Sequence, residues 1–544
     1  MKIKNIITLL ALCGTLTSCN EYLDEVIYSE LVTENAFVTQ SDAEASVNGI
    51  YKMLNSSGYG LYCTQVLLMQ ETSTDVNCKI NNKYETLSWT NLDQETENTW
   101  SDFYTMIKRA NTAIDNIPKI ADSEFTKKNE ETKQDLKKRY LGEAYFLRGF
   151  AYYMLSDLFY KVPIITDSEE DVFKEKKLAS IEDIELLIES DFRQAIDALP
   201  NRYPGNNEAG RVTQGGAYGM MCKLLMRRAA RNKDAKEWAN ALTFCDKTLE
   251  AGYELLPDVW DVFNPANKYN NEIIFDVKAN ENSVSGSSAI GMMFTPWSYD
   301  CGWDNMAIPL EFAWTFDPED QRLKKLILTQ YGNVYNSPEP ESETNFKQYF
   351  FAPMSLSQVG TLTEETSSHR NNEMREVCTQ KYKYTKPLSY NYYTGNNFVI
   401  LRQADVILCK AEILNELNGP TQEAVDLINM IRERAFGNNT HNLVLAAFND
   451  KLSFRRAICN ERAWELNNEG HRRSDLIRMG LWKEKLGLYI NTLTKRWKKF
   501  EEAGNKGASD NAKVYPTDLT DDLMYYPIPK RETDLNPDLL NNRP

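Results

Sequence analysis

The residue types that carry most enzymatic chemistry are scarce in this chain or wrongly spaced for it. It has three histidines, His369, His441 and His471. None falls in the His-Glu-x-x-His pattern that sets two imidazoles on one helix face for zinc. No Gly-x-Ser-x-Gly elbow presents a serine nucleophile, and Gly286-Ser287-Ser288-Ala289 lacks the closing glycine. Glycine-rich phosphate cradles, with or without a following lysine, do not occur. Paired carboxylates for glycoside hydrolysis could sit anywhere among 78 Asp and Glu, and spacing along the chain does not reveal them. The nearest cluster, Asp317-Pro318-Glu319-Asp320 ahead of Arg322, reads as the bracket of a helix end. The chain is expected not to be an enzyme, with no catalytic residue and no cofactor or metal.

One cysteine does have a chemical context. Lys2 and Lys4 precede an apolar run from Ile6 to Leu12, and Leu16-Thr17-Ser18-Cys19 closes the segment. The run is far shorter than the ~20 residues a membrane-spanning helix needs, so it reads as a signal peptide over residues 1–18. Leu-Thr-Ser-Cys is similar to a bacterial lipobox, in which the cysteine is acylated after cleavage. Cys19 is therefore the expected lipidation site, with residues 19–40 as a lipidated tether. Each buried methylene of the lipid contributes ~0.8 kcal/mol, so several acyl chains on one residue anchor far better than one.

The remaining cysteines say less. Cys222, Cys245, Cys409 and Cys459 lie among apolar residues at helical spacing and read as small hydrophobes. Cys63 and Cys78 flank a loop-like region and could bridge in an oxidising compartment. No Cys-x-x-Cys pair supports a zinc-ribbon or thioredoxin-like reading.

The body must position whatever site exists. The formal charge is −16, and −18 once Lys2 and Lys4 are removed. So acidic a surface disfavours nucleic acid and anionic headgroups alike. Mean hydropathy is −0.53, and after the signal no apolar stretch reaches membrane-spanning length. Tyr140, Ala144, Leu147, Ala151, Met154 and Leu158 step by three or four, the stripe of an amphipathic helix. Ala144, Gly149 and Ala151 on or beside it would admit a close neighbour. Similar patterns cover Ser41–Leu54, Asn98–Ile117, Ile181–Ala198, Gly215–Ala230, Trp238–Ala251, Leu401–Glu416 and Gln422–Arg434. Short turns such as Leu417-Asn418-Gly419-Pro420 imply helical hairpins stacked as tetratricopeptide-like repeats.

From Leu255 to Asn397 the stripe fades, and Asn, Ser, Gly, Pro and aromatics crowd together. Glu272–Val277 is the one strand-like run in it. Loops longer than ~15 residues in compact domains are usually functional or disordered, and the density of Trp and Tyr argues against disorder. The expected fold class is mainly α: a tetratricopeptide-like helical repeat scaffold with a long, irregular, loop-rich insertion of minor β content. It divides into an N-terminal helical part (41–254), the irregular aromatic-rich region (255–397) and a C-terminal helical part (398–544). A smaller irregular segment, Ser56–Trp89, separates the first two helices.

An ordered set of motifs then resembles the SusD/RagB family of outer-membrane lipoproteins from Bacteroidetes. It starts with Cys19-Asn20-Glu21-Tyr22-Leu23-Asp24, then Trp100, Tyr104 and Ala110-Asn111, and Glu143-Ala144-Tyr145-Phe146-Leu147-Arg148-Gly149. Gly210-Arg211-Val212-Thr213-Gln214-Gly215-Gly216-Ala217 and Arg402-Gln403-Ala404-Asp405 follow. Glu461-Arg462, Glu465-Leu466, Glu469-Gly470, Asp475-Leu476-Ile477-Arg478 and Tyr526-Pro527-Ile528-Pro529 complete it. Most of these residues read as scaffold: buried Arg and Glu on adjoining helices are costly unless paired, and a fixed network of them would lock helix register.

The resemblance implies a surface protein that sits over a SusC-like TonB-dependent transporter and captures a nutrient, usually an oligosaccharide. The helical repeats would face the transporter and the irregular region the ligand. It implies an outer-membrane location, lipid-anchored and facing the cell exterior. A non-sugar nutrient such as peptide is the alternative cargo.

Sugars present flat C–H faces and rims of hydroxyls, which exposed aromatic rings and nearby amides or carboxylates grip at small conformational cost. Trp297, Tyr299 and Trp303 lie within seven residues, beside Asp300, Gly302, Asp304 and Asn305. Tyr84 and Trp89 lie near Asp75, Asn77, Asn81 and Asn82. The expected ligand-binding residues are thus Trp89, Trp303, Trp297, Tyr299, Asp75, Asn77 and Asn305. Trp100 and Trp314, on apolar helical stretches, are expected in the core.

Overall fold

The computed structural model describes residues 36–55, 60–79, 83–125, 133–169, 175–203, 208–280, 288–295, 305–332, 349–359, 376–382, 395–504 and 514–544. The expected signal peptide and most of the tether lie outside the described residues. The N-terminal helices are α1 (Gln40–Tyr51), α2 (Gln94–Asn116), α3 (Lys133–Phe159), α4 (Ile181–Ala198), α5 (Gln214–Asn232) and α6 (Ala235–Leu249). Polar N-caps set several of their starts. Thr39 forms a capping box with Asp42, Ser180 accepts from the Asp183 N–H, and Thr213 accepts from the Gly216 N–H. A two-residue connection, Lys233-Asp234, folds α6 back onto α5.

The stripe expected on α3 is buried, but so is nearly every other face of that helix from Gly142 onward. It is a central helix rather than an amphipathic one, packed between α2 and α4. Close approach explains its glycines. A Cβ on Gly149 would come within 3.0 Å of the Asp191 Cβ, and one on Gly142 within 2.6 Å of the Ala198 Cβ. Beside Gly149, the Arg148 guanidinium binds the Asp191 carboxylate through two bonds of 2.7 and 2.8 Å.

In the irregular region the short helices are α7 (Val259–Phe263), α8 (Ile290–Phe294), α9 (Leu310–Ala313) and α10 (Gln321–Leu326). Asp320 caps α10 through the Arg322 N–H, the bracketing role expected of that acidic cluster. The strands are β1 (Ile273–Val277), β2 (Ile327–Leu328), β3 (Gln330–Gly332), β4 (Tyr349–Phe351), β5 (Cys378–Thr379) and β6 (Phe398–Arg402). They form three antiparallel pairs, β1 with β6, β2 with β5 and β3 with β4. The β1–β6 pair, with Val277 opposite Phe398, ties the two ends of the irregular region together. Val76, Ile308, Leu310, Phe312 and Val377 build a small core of their own there, so many of the described apolar side chains of that region are packed despite the lack of periodicity.

The C-terminal helices are α11 (Gln403–Asn418), α12 (Gln422–Phe436), α13 (Lys451–Leu466), α14 (Arg472–Arg478), α15 (Trp482–Glu502) and α16 (Lys530–Leu535). Apolar periodicity does not reveal α13, because its buried face carries Glu461, Arg462 and Glu465, each at most 1% exposed. Glu465 pairs with Arg402 at 2.7 Å, with Arg322 at 3.2 Å and with Arg434. Arg402 also reaches Glu272 at 2.8 Å and Glu469 at 2.7 Å, and Glu469 takes Lys381 at 2.6 Å. Arg322 binds Glu461 at 2.7 Å. Arg462 joins Asp405 and Asp475, each at 2.7 Å. Burial alone would raise the Glu465 carboxyl, but Arg434, Arg402 and Arg322 hold it far below the usual carboxylate range. The network fastens α10, the Lys381 segment and the β1–β6 pair to α13.

Trp100 is buried as expected and meets Phe159 edge-on, whereas Trp314 is only half-buried and donates to the Pro353 carbonyl at 2.6 Å. Cys222, Cys245, Cys409 and Cys459 are buried free thiols, as their apolar surroundings imply. The Cys63 side chain, one half of the suggested Cys63–Cys78 bridge, lies outside the described residues; the Cys78 sulfur is buried, 3.5 Å from the Ala307 carbonyl.

Candidate ligand-binding surface

The first irregular segment is held from below by the C-terminal part of the chain. Glu71 is fully buried and accepts backbone N–H groups from Gly470 at 2.7 Å and His471 at 2.8 Å. Asn468 and Arg472 add further N–H bonds at 3.3 Å. The carboxylate thus satisfies donors at the start of α14, where the helix dipole also favours a negative charge. Asp75 follows, with both oxygens bound by the Arg472 guanidinium at 2.7 and 2.8 Å. Burial alone would raise that carboxyl, but Arg472 holds it below its ordinary range. Asn77 has no solvent exposure, accepts from the Thr72 hydroxyl and donates to the Asn468 side chain at 2.6 Å.

These contacts correct two of the expected site residues. Asp75 has its carboxylate oxygens committed to Arg472, and Asn77 is enclosed, so both brace the segment rather than meet a ligand. Trp89 is corrected as well. It is 8% exposed, with its ring centroid 4.6 Å from Tyr526 and 6.2 Å from Tyr84. Tyr526 belongs to the C-terminal Tyr-Pro-Ile-Pro motif, more than 400 residues downstream. No spacing rule links the two rings, and together they make Trp89 a core anchor.

The braced segment leads directly to the second candidate cluster. The Cys78 N–H donates to the Ala307 carbonyl at 2.9 Å, and the Ala307 N–H returns a bond to the Cys78 carbonyl at 3.0 Å. On the far side Ile308 bridges Val377. The Asn305 and Met306 N–H groups both donate to the Met293 carbonyl, at 2.9 and 3.0 Å. Asn305 is half-buried, with its amide 3.6 Å from the Met293 sulfur. The chain leading to Trp303 is therefore pinned at its root to the segment leading to Asn81 and Asn82. Trp297, Tyr299, Trp303, Asn81 and Asn82 lie outside the described residues.

Sequence reasoning missed the residues that support this root. Arg496 on α15 binds Glu311 at 2.6 Å and Glu376 at 2.9 Å, and Glu376 in turn accepts from the Leu310 N–H at 3.0 Å. These are single charged residues in unremarkable local sequence, and only the fold brings them together. Among the described residues, no group of three or more His, Cys, Asp or Glu is placed to hold a metal ion.

A family model described as "SusD family" matches residues 260–544, more than half of the chain. The chain belongs to the SusD family. A second model, described as "Starch-binding associating with outer membrane", matches residues 21–226. A SusD-like protein of Formosa agariphila is 26% identical over 504 residues, covering 88% of this chain and 90% of that one. Among solved structures, a SusD homolog from Bacteroides thetaiotaomicron superposes with a TM-score of 0.73 at 22% identity. It covers 93% of this chain and 97% of its own. Surface glycan-binding protein A of Bacteroides thetaiotaomicron, solved with laminarihexaose, gives a TM-score of 0.67 at 18% identity. That match covers 93% of this chain and 100% of the other. The mainly helical, tetratricopeptide-like SusD fold is thus the fold of this protein.

Proposed function

We propose that this SusD-family protein captures oligosaccharide at the cell surface and delivers it to a SusC-like TonB-dependent transporter. The observation that supports this most is the Cys78–Ala307 bridge. It ties the segment ending at Lys79 to the segment beginning at Asn305, and a protein of the same fold has been solved with laminarihexaose. Trp303, Trp297 and Tyr299 are the proposed stacking platform, with Asn305 at its edge. A ring offered to a sugar gives large contact area and loses few rotamers on binding. The net charge of −16 favours neutral glycans over polyanionic ones.

The proposed attachment is through acylated Cys19. Among the described residues no helix is long and apolar enough to cross a membrane. Cys19→Ala is expected to move the protein from the membrane to the soluble fraction, with protease accessibility on intact cells reporting surface exposure of the wild type. A variant that still sediments with membranes in cells lacking the transporter would remove the lipid as anchor.

Capture without turnover is tested on the purified protein. Titration with laminarin, starch and xyloglucan oligosaccharides should show saturable binding to at least one. Chain lengths and reducing ends should be unchanged after prolonged incubation. Shortened products that persist through repurification would overturn the binding-only reading. Binding of peptides with no response to any glycan would overturn the choice of cargo.

A further inference from the structure

A cleft elsewhere in the fold shares no residue with the Cys78–Ala307 bridge. It is formed where the chain enters α5, where it leaves α6, and along β1 with the turn before it. Its volume is about 250 Å³, just below the ~300 Å³ at which pockets for drug-sized ligands begin. That is room for a sugar residue rather than a chain.

The lining is polar and aromatic, with little left unsatisfied except at one point. The Tyr253 hydroxyl bonds Thr213 at 2.6 Å, and the Tyr203 hydroxyl donates to the Val212 carbonyl at 2.9 Å. The Arg202 guanidinium lies 4.7 Å from the centre of the Tyr253 ring and donates to the Gly252 carbonyl. Arg211 is neutralised by Glu208 at 2.6 Å and Glu143 at 2.7 Å. Asp276 is the exception. It is 2% exposed, and its Oδ2 accepts from the Asn397 amide at 2.7 Å, but its Oδ1 has no hydrogen-bond partner. A buried carboxylate oxygen without a donor is costly, and in native structures such a group calls for a missing partner. At the mouth of the cleft Tyr269 is 45% exposed.

We infer that this cleft is a second binding site, for a single neutral sugar residue, with Asp276 accepting a ligand hydroxyl and the Tyr269 ring stacking on its C–H face. The lining argues against ions. Arg211 is already paired, and the Asp276 carboxylate would repel a free anion. The charges of Lys268 and Lys278 act on Asp276 and disfavour a metal cation there. A neutral polyol supplies the missing donor without adding charge. The site shares its ligand class with the proposed function but none of its residues.

The test is saturation-transfer NMR and titration calorimetry on the full mature chain, with D-glucose, D-galactose, D-mannose and D-xylose as probes. At least one should bind, and its affinity should survive Trp303→Ala. Asp276→Asn keeps the shape but turns a donor toward the cleft in place of the acceptor. It and Tyr269→Ala should each weaken binding about tenfold, near 1.4 kcal/mol. Burial pushes the Asp276 carboxyl up to about 6, so the charge opposes folding at neutral pH, and Asp276→Asn should melt no lower than wild type. Tyr269 is a surface residue, so Tyr269→Ala decides the matter even if the Asp276 variant is lost. Failure of all four sugars to bind would overturn the inference and leave a water-filled cleft. So would affinities unchanged in both variants, or lost in Trp303→Ala. Oligosaccharide capture that fails in Trp303→Ala but persists in Tyr269→Ala keeps the two sites distinct.

Discussion

Glu465→Ala is expected to destabilise the protein by about 3–5 kcal/mol, the cost of breaking a buried ion pair from one side. The carboxylate is fully buried and meets Arg402, Arg434 and Arg322. Its removal takes a buried carboxylate from three guanidiniums at once, leaving Arg322 with Asp320 and Glu461, Arg402 with Glu272 and Glu469, and Arg434 with Glu272. Typical domains are stable by only ~5–15 kcal/mol, so the variant should show a large fall in melting temperature and in urea midpoint. Because the network ties the β1–β6 pair and the Lys381 segment to α13, ligand affinity should fall with it. Glu484→Ala breaks the exposed pair with Arg456 instead and should leave the melting curve in place, since exposed pairs contribute little. A Glu465→Ala protein that melts like wild type would mean the network is dispensable.

Trp303→Ala and Trp89→Ala are expected to fail in opposite ways. Truncating a ring that stacks on ligand commonly costs ~2 kcal/mol or more of binding, roughly thirtyfold in affinity, and leaves the fold intact. Trp303→Ala should follow that pattern, with Trp297→Ala and Tyr299→Ala weaker versions of it. Trp89 sits 8% exposed between Tyr84 and Tyr526. Its truncation opens a cavity and should cost about 3–5 kcal/mol of folding stability. Calorimetric melting and glycan titration on the same samples separate the two behaviours. A stable Trp89→Ala protein that has lost its ligand would place that ring on the binding surface after all. A Trp303→Ala protein with wild-type affinity would move the platform elsewhere in the irregular region.

Local chemistry was enough for the elements whose cause is local. The expected helix Ile181–Ala198 forms over those residues. The helix expected at Gln422–Arg434 runs to Phe436 and starts at its Thr421 cap. The strand expected within Glu272–Val277 forms at Ile273–Val277. The two helices are decided by apolar spacing and a capping side chain within a few residues, and the strand shows itself as a short apolar run. The ordered motifs likewise sufficed for the family, because they span nearly the whole chain.

Tertiary structure alone decided which charged and aromatic side chains are free to meet a ligand. Asp75 and Asn77 look available in sequence, yet Arg472 and Asn468, almost 400 residues away, claim them. Trp89 looks like a platform until Tyr526 covers it. The helix Lys451–Leu466 hides because its buried face mixes ion-paired Glu461, Arg462 and Glu465 with Phe454, Ile458 and Leu466, which blurs the apolar stripe. The physical reason is common to all of them. Apolar periodicity records that a face is buried, whereas a polar side chain is buried or exposed according to partners that only the folded chain brings within 3 Å.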